Sequence, residues 1–182
     1  MKFKLTDRYV LDCFLAVFLN FFLHELAHWG AGELLGYKME MALNKTFLIE
    51  GDYAFKFHGT IVDGAGPACT FLLATAVFYL LFKKERNEIL YPFLLSAFYL
   101  RLLAAFSNFN KLNDEGRVGK DLGIGAFTLP ILVCSLLFLM IYIVSVRNKY
   151  TVKFQMVTLL FIILFSSLII WADHYFQYRI IG

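Results

Sequence analysis

Five long apolar runs constrain this chain more than any other feature. They lie near residues 9–35, 60–82, 89–109, 124–146 and 152–172, and each reaches the roughly 18 apolar residues expected of a membrane-crossing helix. Of the 182 residues, 60% are hydrophobic, against about 45–50% in an ordinary soluble domain. Because backbone in lipid must satisfy its own hydrogen bonds, such runs form helices. The sequence therefore predicts an all-α membrane protein, a polytopic bundle of about five transmembrane helices.

The joints between these runs are short and polar. We therefore expect residues 1–182 to form a single transmembrane domain. Between residues 36 and 58 the pattern changes to two short segments of extended character, joined through Asn44-Lys45. This predicts a small β-hairpin or a re-entrant loop after the first helix. In the second run, Pro67 is expected to interrupt or start a helix.

Charge and cysteine usage narrow the class of protein further. The net charge of +3 is spread over several joints, without the basic face that a nucleic-acid binder needs, so the expected surroundings are a lipid bilayer and not nucleic acid. Cys13, Cys69 and Cys134 lie in apolar runs and are read as small buried side chains. Lys and Arg number nine on the amino-terminal side and seven on the other, which favours a cytoplasmic amino terminus. The sequence leaves the oligomeric state open.

The first apolar run contains the sequence His24-Glu25-Leu26-Ala27-His28. Residues four apart lie on one helix face, so His24 and His28 can direct two imidazole nitrogens at a single ion. Glu25, about a third of a turn from His24, can reach a metal-bound water as a general base without being a ligand. Ionisable groups at membrane depth are costly, so three of them within one helical turn favour a functional site over a structural hydrogen-bonded cluster.

A third metal ligand has to come from elsewhere, because catalytic zinc typically takes three protein ligands and a water molecule. The best source is the polar joint Asn113-Asp114-Glu115-Gly116 after the third run. Asp114 is the preferred ligand, and Glu115 and Asp121 stay open as alternatives.

In their order along the chain, the motif helix, Ala65-Gly66-Pro67 and the acidic joint at Asp114 resemble the site-2 protease family of intramembrane zinc metalloproteases. That family pairs a His-Glu-x-x-His helix with an aspartate ligand from a distant Asp-Gly segment, and a Gly-Pro segment opens its intervening helix. The resemblance covers about the first two-thirds of the chain. Departures from the family pattern indicate a divergent member: Glu115 separates Asp114 from Gly116, residues 108–111 lack the family's proline, and Thr70 stands where asparagine is common.

The resemblance implies a zinc endopeptidase that hydrolyses peptide bonds of transmembrane proteins or peptides, with Zn²⁺ held by His24, His28 and Asp114 and water activated by Glu25. Water has to reach such a site, so the glycine-rich turn and the polar joint are expected to line a hydrated cavity. The candidate substrate-binding residues there are Gly64, Gly66, Pro67 and Asn110. The alternative is a non-proteolytic membrane protein that binds or transports a divalent metal, although the fourth and fifth runs carry almost no polar ligands for it.

The sequence predicts the roles of three further ionisable residues less closely. Arg101, inside the third run, is expected to pair with a carboxylate or to extend its charge to the interface. His58 and Asp63, which flank the Gly-Pro segment, are interpreted as solvated loop residues near an interface, and the alternative is that they line a substrate path.

Overall fold

Helices dominate the computed structural model, which describes residues 5–83, 87–176 and 178–181. Within these residues the chain forms six helices and one two-stranded sheet, and this confirms the predicted all-α membrane bundle. The elements follow in the order α1 (Asp7–Leu34), β1 (Met39–Met41), β2 (Thr46–Leu48), α2 (Lys56–Lys83), α3 (Tyr91–Ser107), α4 (Asp114–Asp121), α5 (Thr128–Arg147) and α6 (Val152–Phe176).

Four helices, α1, α2, α5 and α6, are long and apolar enough to cross a membrane. The remaining predicted span forms α3, which has 17 residues. At 1.5 Å per residue α3 is about 25 Å long, somewhat less than the roughly 30 Å hydrocarbon core of a bilayer. Large side chains on α5 and α6 are more than half exposed, including Ile131, Phe138, Leu160 and Leu164. Such a surface suits lipid and not water.

The motif helix α1 lies against α2, α3 and α6. Cys13, Val17 and Phe21 enter the core from one face of α1, because residues four apart on a helix lie above one another. Asn20 is buried as well, and its side-chain amide donates to Ser96 Oγ of α3 at 2.7 Å. A polar group in this environment needs such a partner, so the bond fixes α1 against α3.

The segment after α1 is a β-hairpin and not a re-entrant loop. Strands β1 and β2 are antiparallel, with Glu40 opposite Phe47. The Met41 N–H donates to the carbonyl of Ile181 at 2.8 Å, so the carboxyl-terminal segment covers the outer edge of β1. On the opposite strand, the Thr46 hydroxyl donates to the backbone carbonyl of Glu25 at 3.1 Å. The hairpin therefore lies directly beside the motif.

The expected break at Pro67 is wrong. Helix α2 runs without interruption from Lys56 to Lys83, with Pro67 buried in its interior. A proline there costs a backbone hydrogen bond and about 3 kcal/mol, so the extensive packing of α2 against α1 offsets the penalty. His58 and Asp63 accordingly lie on a helix and not in a solvated loop.

The orientation of the chain in the membrane stays a prediction. The Lys and Arg count depends in part on Lys2, Lys4, Lys84 and Arg86, which lie outside the described residues.

Candidate metal centre

The two histidines of α1 present the same ring nitrogen to one point. His28 Nδ1 lies 2.6 Å from the carbonyl oxygen of Val62, and His24 Nδ1 lies 3.0 Å from Thr70 Oγ1. A carbonyl can only accept, so Nδ1 of His28 carries the proton and its Nε2 keeps a lone pair. The Thr70 hydroxyl can accept as well as donate, so its contact with His24 Nδ1 is compatible with the same tautomer, in which Nε2 of His24 also keeps a lone pair. Helix α2 thus contacts both rings at their Nδ1 atoms, and their Nε2 atoms lie 3.1 Å apart.

Asp114 completes a group of three candidate ligands. Its Oδ2 lies 3.1 Å from His24 Nε2 and 3.4 Å from His28 Nε2. With His24 in this tautomer all three atoms are acceptors, and a cation bound among them would satisfy all three, whereas a single proton bridges only two. Ligands about 2.0–2.1 Å from a tetrahedral first-row ion lie about 3.3 Å from one another. The observed separations fit, and the group could therefore hold a metal ion.

The amino-terminal turn of α4 places Asp114 in this position. Asn113 caps the helix, since its Oδ1 accepts from the Gly116 N–H at 2.7 Å. One turn on, Arg117 Nη2 lies 2.8 Å from Asp114 Oδ1 and also 2.8 Å from Asp63 Oδ1, while its Nε lies 2.7 Å from Asp63 Oδ2. Arg117 therefore fixes one carboxylate oxygen of Asp114 and leaves the other facing the histidines.

Asp114 is ionised in this setting. Burial favours its neutral form, but hydrogen bonds from His24 and His28, formed when protons occupy their Nε2 atoms in place of a metal, outweigh burial and hold the pKa of the carboxyl well below its usual range. The pKa of Arg117, which pairs with Asp114, shifts upwards, because its hydrogen bonds to the Asp63 carboxylate favour the charged guanidinium. A charged carboxylate is the form that binds a metal.

Glu25 lies beside this group without belonging to it. Its side chain is 7% exposed, and its Oε2 accepts from the Thr46 hydroxyl of β2 at 2.9 Å. The hairpin thus holds one oxygen of the carboxylate, while the residue lines the same cavity as the candidate ligands. A carboxylate so placed is suited to proton transfer.

The two alternative third ligands have other partners. Glu115 Oε1 accepts from Arg101 Nη1 at 3.1 Å. Asp121, at the far end of α4, pairs with Lys56 at 2.7 Å. The structure therefore brings Asp114, and neither Glu115 nor Asp121, to the two histidines.

Comparisons with protein-family models, with curated proteins and with solved structures found no match to this chain. The resemblance to the site-2 protease family accordingly rests on the motif residues.

A cavity of about 460 Å³ opens onto the candidate ligands. Its wall includes polar groups from the hairpin, from the end of α3 and from the joint that follows it, among them Asn44, Lys45, Ser107 and Lys111, so water has a polar route to the site.

The four predicted substrate-binding residues, Gly64, Gly66, Pro67 and Asn110, are absent from the described lining of this cavity. Gly66 has a different role here: a Cβ atom at this position would lie 2.6 Å from His24 Cε1 and 2.7 Å from His28 Cδ2. The glycine lets α2 pass directly against the two imidazoles. Contact of these four residues with a substrate stays a prediction.

Sequence reasoning missed the residues that hold the site together. Arg117 lies three residues after Asp114, a spacing that signals an ion pair on a helix. Thr46 carries no comparable signal, because threonine is common in strands and helices alike, and Thr70 stood out only as a departure from the family pattern. Their contacts with Glu25 and His24 depend on how distant segments pack.

Proposed function

We propose that this protein is a multi-pass intramembrane zinc metalloprotease that hydrolyses peptide bonds of membrane-embedded proteins or peptides. The observation that carries the proposal is the convergence of His24, His28 and Asp114, with Glu25 beside them, at a cavity inside a bundle of membrane-length helices. Two imidazoles and one carboxylate are a ligand set typical of catalytic zinc with an open position.

When bound, zinc would supply Lewis-acid chemistry, polarising the scissile carbonyl and acidifying water. Glu25 takes a proton from the attacking water as a new carbon–oxygen bond forms. It then delivers this proton to the amide nitrogen as the carbon–nitrogen bond breaks, giving a carboxylic acid and an amine. The Thr46 hydroxyl holds the Glu25 carboxylate in a fixed orientation during both transfers. Thr70 and Val62 keep each imidazole in the tautomer whose Nε2 can bind a metal.

The outer edge of β2 offers a place for an unwound substrate segment. Ladder bonds join residue 38 to 49 and residue 42 to 45, and antiparallel pairs alternate, so Thr46 and Leu48 direct their N–H and C=O groups outwards. Within the described chain, no backbone partner is recorded for these outward groups. Because Thr46 also contacts Glu25, a strand added here would pass beside the catalytic carboxylate.

Leu48→Pro should raise KM for a transmembrane peptide so that kcat/KM falls about tenfold, the equivalent of about one or two backbone hydrogen bonds. The hairpin should survive, because proline is tolerated on a strand edge where the lost N–H points outwards. Steady-state kinetics in micelles, together with zinc content, measure the effect. Phe47→Pro is the matched control: it removes an N–H inside the ladder, so hairpin structure and zinc retention should suffer together. Unchanged kinetics in Leu48→Pro would exclude strand addition at β2.

Metal removal tests the proposal itself. The purified protein should contain about one zinc ion per chain and cleave a transmembrane peptide. Dialysis against a chelator should abolish cleavage, and zinc should restore it. Protein that binds no zinc, or that cleaves equally well without it, would overturn the proposal. Metal uptake into vesicles without cleavage would favour the transporter alternative. The ligand group found among the described residues contains none from α5 or α6, which argues against a transporter.

A further inference from the structure

Arg101 of α3 lies beside the candidate ligand atoms. The residue is 9% exposed, and its guanidinium faces three residues. Nη1 lies 3.1 Å from Glu115 Oε1 and 3.8 Å from Asp114 Oδ2, while Nη2 lies 3.5 Å from His24 Nε2. The charged end of Arg101 therefore borders both the ligand group and the cavity that opens onto it.

We propose that Arg101 is a further catalytic residue, which donates a hydrogen bond to the scissile carbonyl oxygen as that oxygen gains negative charge. This inference rests on the proposed protease function and adds one residue to it. A fixed donor aimed at a developing oxyanion acts strongly in a site that excludes bulk water, because it needs no rearrangement during the reaction.

Hydrogen-bond accounting around the guanidinium supports this role. His24 Nε2 has one lone pair, which serves either a metal or Arg101 Nη2 but not both. Occupation of the ligand group would therefore leave Nη2 without its acceptor. Within the same buried pair, Arg101 Nε and Glu115 Oε2 have no hydrogen-bond partner among the described residues, so the pair leaves one donor and one acceptor unsatisfied. Buried donors are rarely left unpaired, and a substrate carbonyl oxygen at the cavity would give Nη2 a new acceptor.

Helix α4 positions Arg101 through Glu115. Glu115 is 3% exposed and adjoins Asp114, so a single turn of α4 supplies both the third candidate ligand and the anion that holds the guanidinium. The buried pair keeps Arg101 beside the ligands and balances its charge. Glu115 is thus a positioning residue.

The competing explanation is that Arg101 only neutralises Glu115, and a double variant separates the two roles. Arg101→Met alone would leave a buried carboxylate unpaired and could unfold the protein. Arg101→Met with Glu115→Met removes both charges and keeps similar volumes, so this protein should fold and retain its zinc. We expect its kcat to fall about 100-fold, with KM changed less than about threefold.

A peptide phosphonate, which mimics the charged tetrahedral species, gives a readout independent of turnover. Its affinity for the double variant should fall by about the same factor as kcat/KM, whereas affinity for uncleaved substrate should hardly change. Arg101→Lys, with Glu115 intact, should recover part of both losses, because lysine restores a cation without the planar donor geometry. A structural role predicts full recovery of activity and of phosphonate affinity in the double variant, and that result would overturn the inference.

The outcomes also distinguish this inference from the proposed function. A double variant that cleaves like wild type, when wild type needs zinc and Glu25, would overturn the role of Arg101 alone. A wild-type protein without zinc and without peptidase activity would overturn both.

Discussion

Glu25→Gln should leave the protein folded with its zinc bound, and should lower peptide cleavage by about 10²- to 10⁴-fold. The glutamine amide oxygen can still accept from the Thr46 hydroxyl, so the contact between α1 and the hairpin survives. The amide cannot take a proton from water, and proton transfer therefore fails while metal binding does not. Metal analysis and initial cleavage rates on the same preparations measure the two effects separately.

Glu33→Gln is the matched control for this substitution. Glu33 also lies on α1, is exposed, and accepts from the Met39 N–H at 2.8 Å, a bond that a glutamine oxygen can retain. Cleavage by this variant should equal that of wild type. If Glu25→Gln cleaved as fast as wild type, Glu25 could not be the general base. If it lost its zinc, Glu25 would have to be treated as a ligand.

Local spacing was sufficient to identify the centre of this site. His24 and His28 share a helix face whatever the rest of the chain does, because their separation matches the helical repeat. Asp114 could be selected from its neighbours only by resemblance. The structure separates the three carboxylates by their partners: Glu115 bonds to Arg101, Asp121 bonds to Lys56, and Asp114 lies at the histidines.

Contacts between distant segments could not be read from the sequence. Asp63 appeared to be a solvated loop residue, because the glycines and proline after it suggested irregular backbone. Tertiary packing overrides that local preference, so α2 continues through Pro67 and Asp63 meets Arg117 across the site. For the same reason Arg101 could be noticed as an intramembrane charge, but its approach to His24 depends on how α1 and α3 pack.

The short polar helix α4 explains how a lipid-embedded bundle accommodates so many charges. Within two turns it supplies a cap residue, a candidate ligand, the carboxylate that holds Arg101, and the arginine that holds Asp63. Arg101 and Arg117, the two cations next to the ligand group, therefore each have a carboxylate within reach, and this lowers the cost of placing them away from water. A cation bound between His24, His28 and Asp114 would complete that balance.

Gly66→Ala should weaken metal binding about 10- to 100-fold, as expected when the support behind a ligand is disturbed. The new methyl group would overlap both imidazole rings, which are held between α1 and α2 and have little room to move. Overpacking of this kind typically costs about 1–3 kcal/mol of stability, so the midpoint of thermal unfolding should fall as well. Competition with a chromophoric chelator measures the affinity, and cleavage at limiting zinc should fall in parallel.

Gly64→Ala provides the control on the same helix. A Cβ atom at residue 64 would lie 3.8 Å from Val118 Cγ2, which is ordinary van der Waals contact. Alanine favours a helix over glycine by up to about 1 kcal/mol, so this variant should bind zinc normally and unfold at the same or a higher temperature. Equal zinc affinity in the two variants would show that close approach of α2 at Gly66 does not set the positions of His24 and His28. A loss confined to Gly66→Ala would make this glycine a determinant of the site.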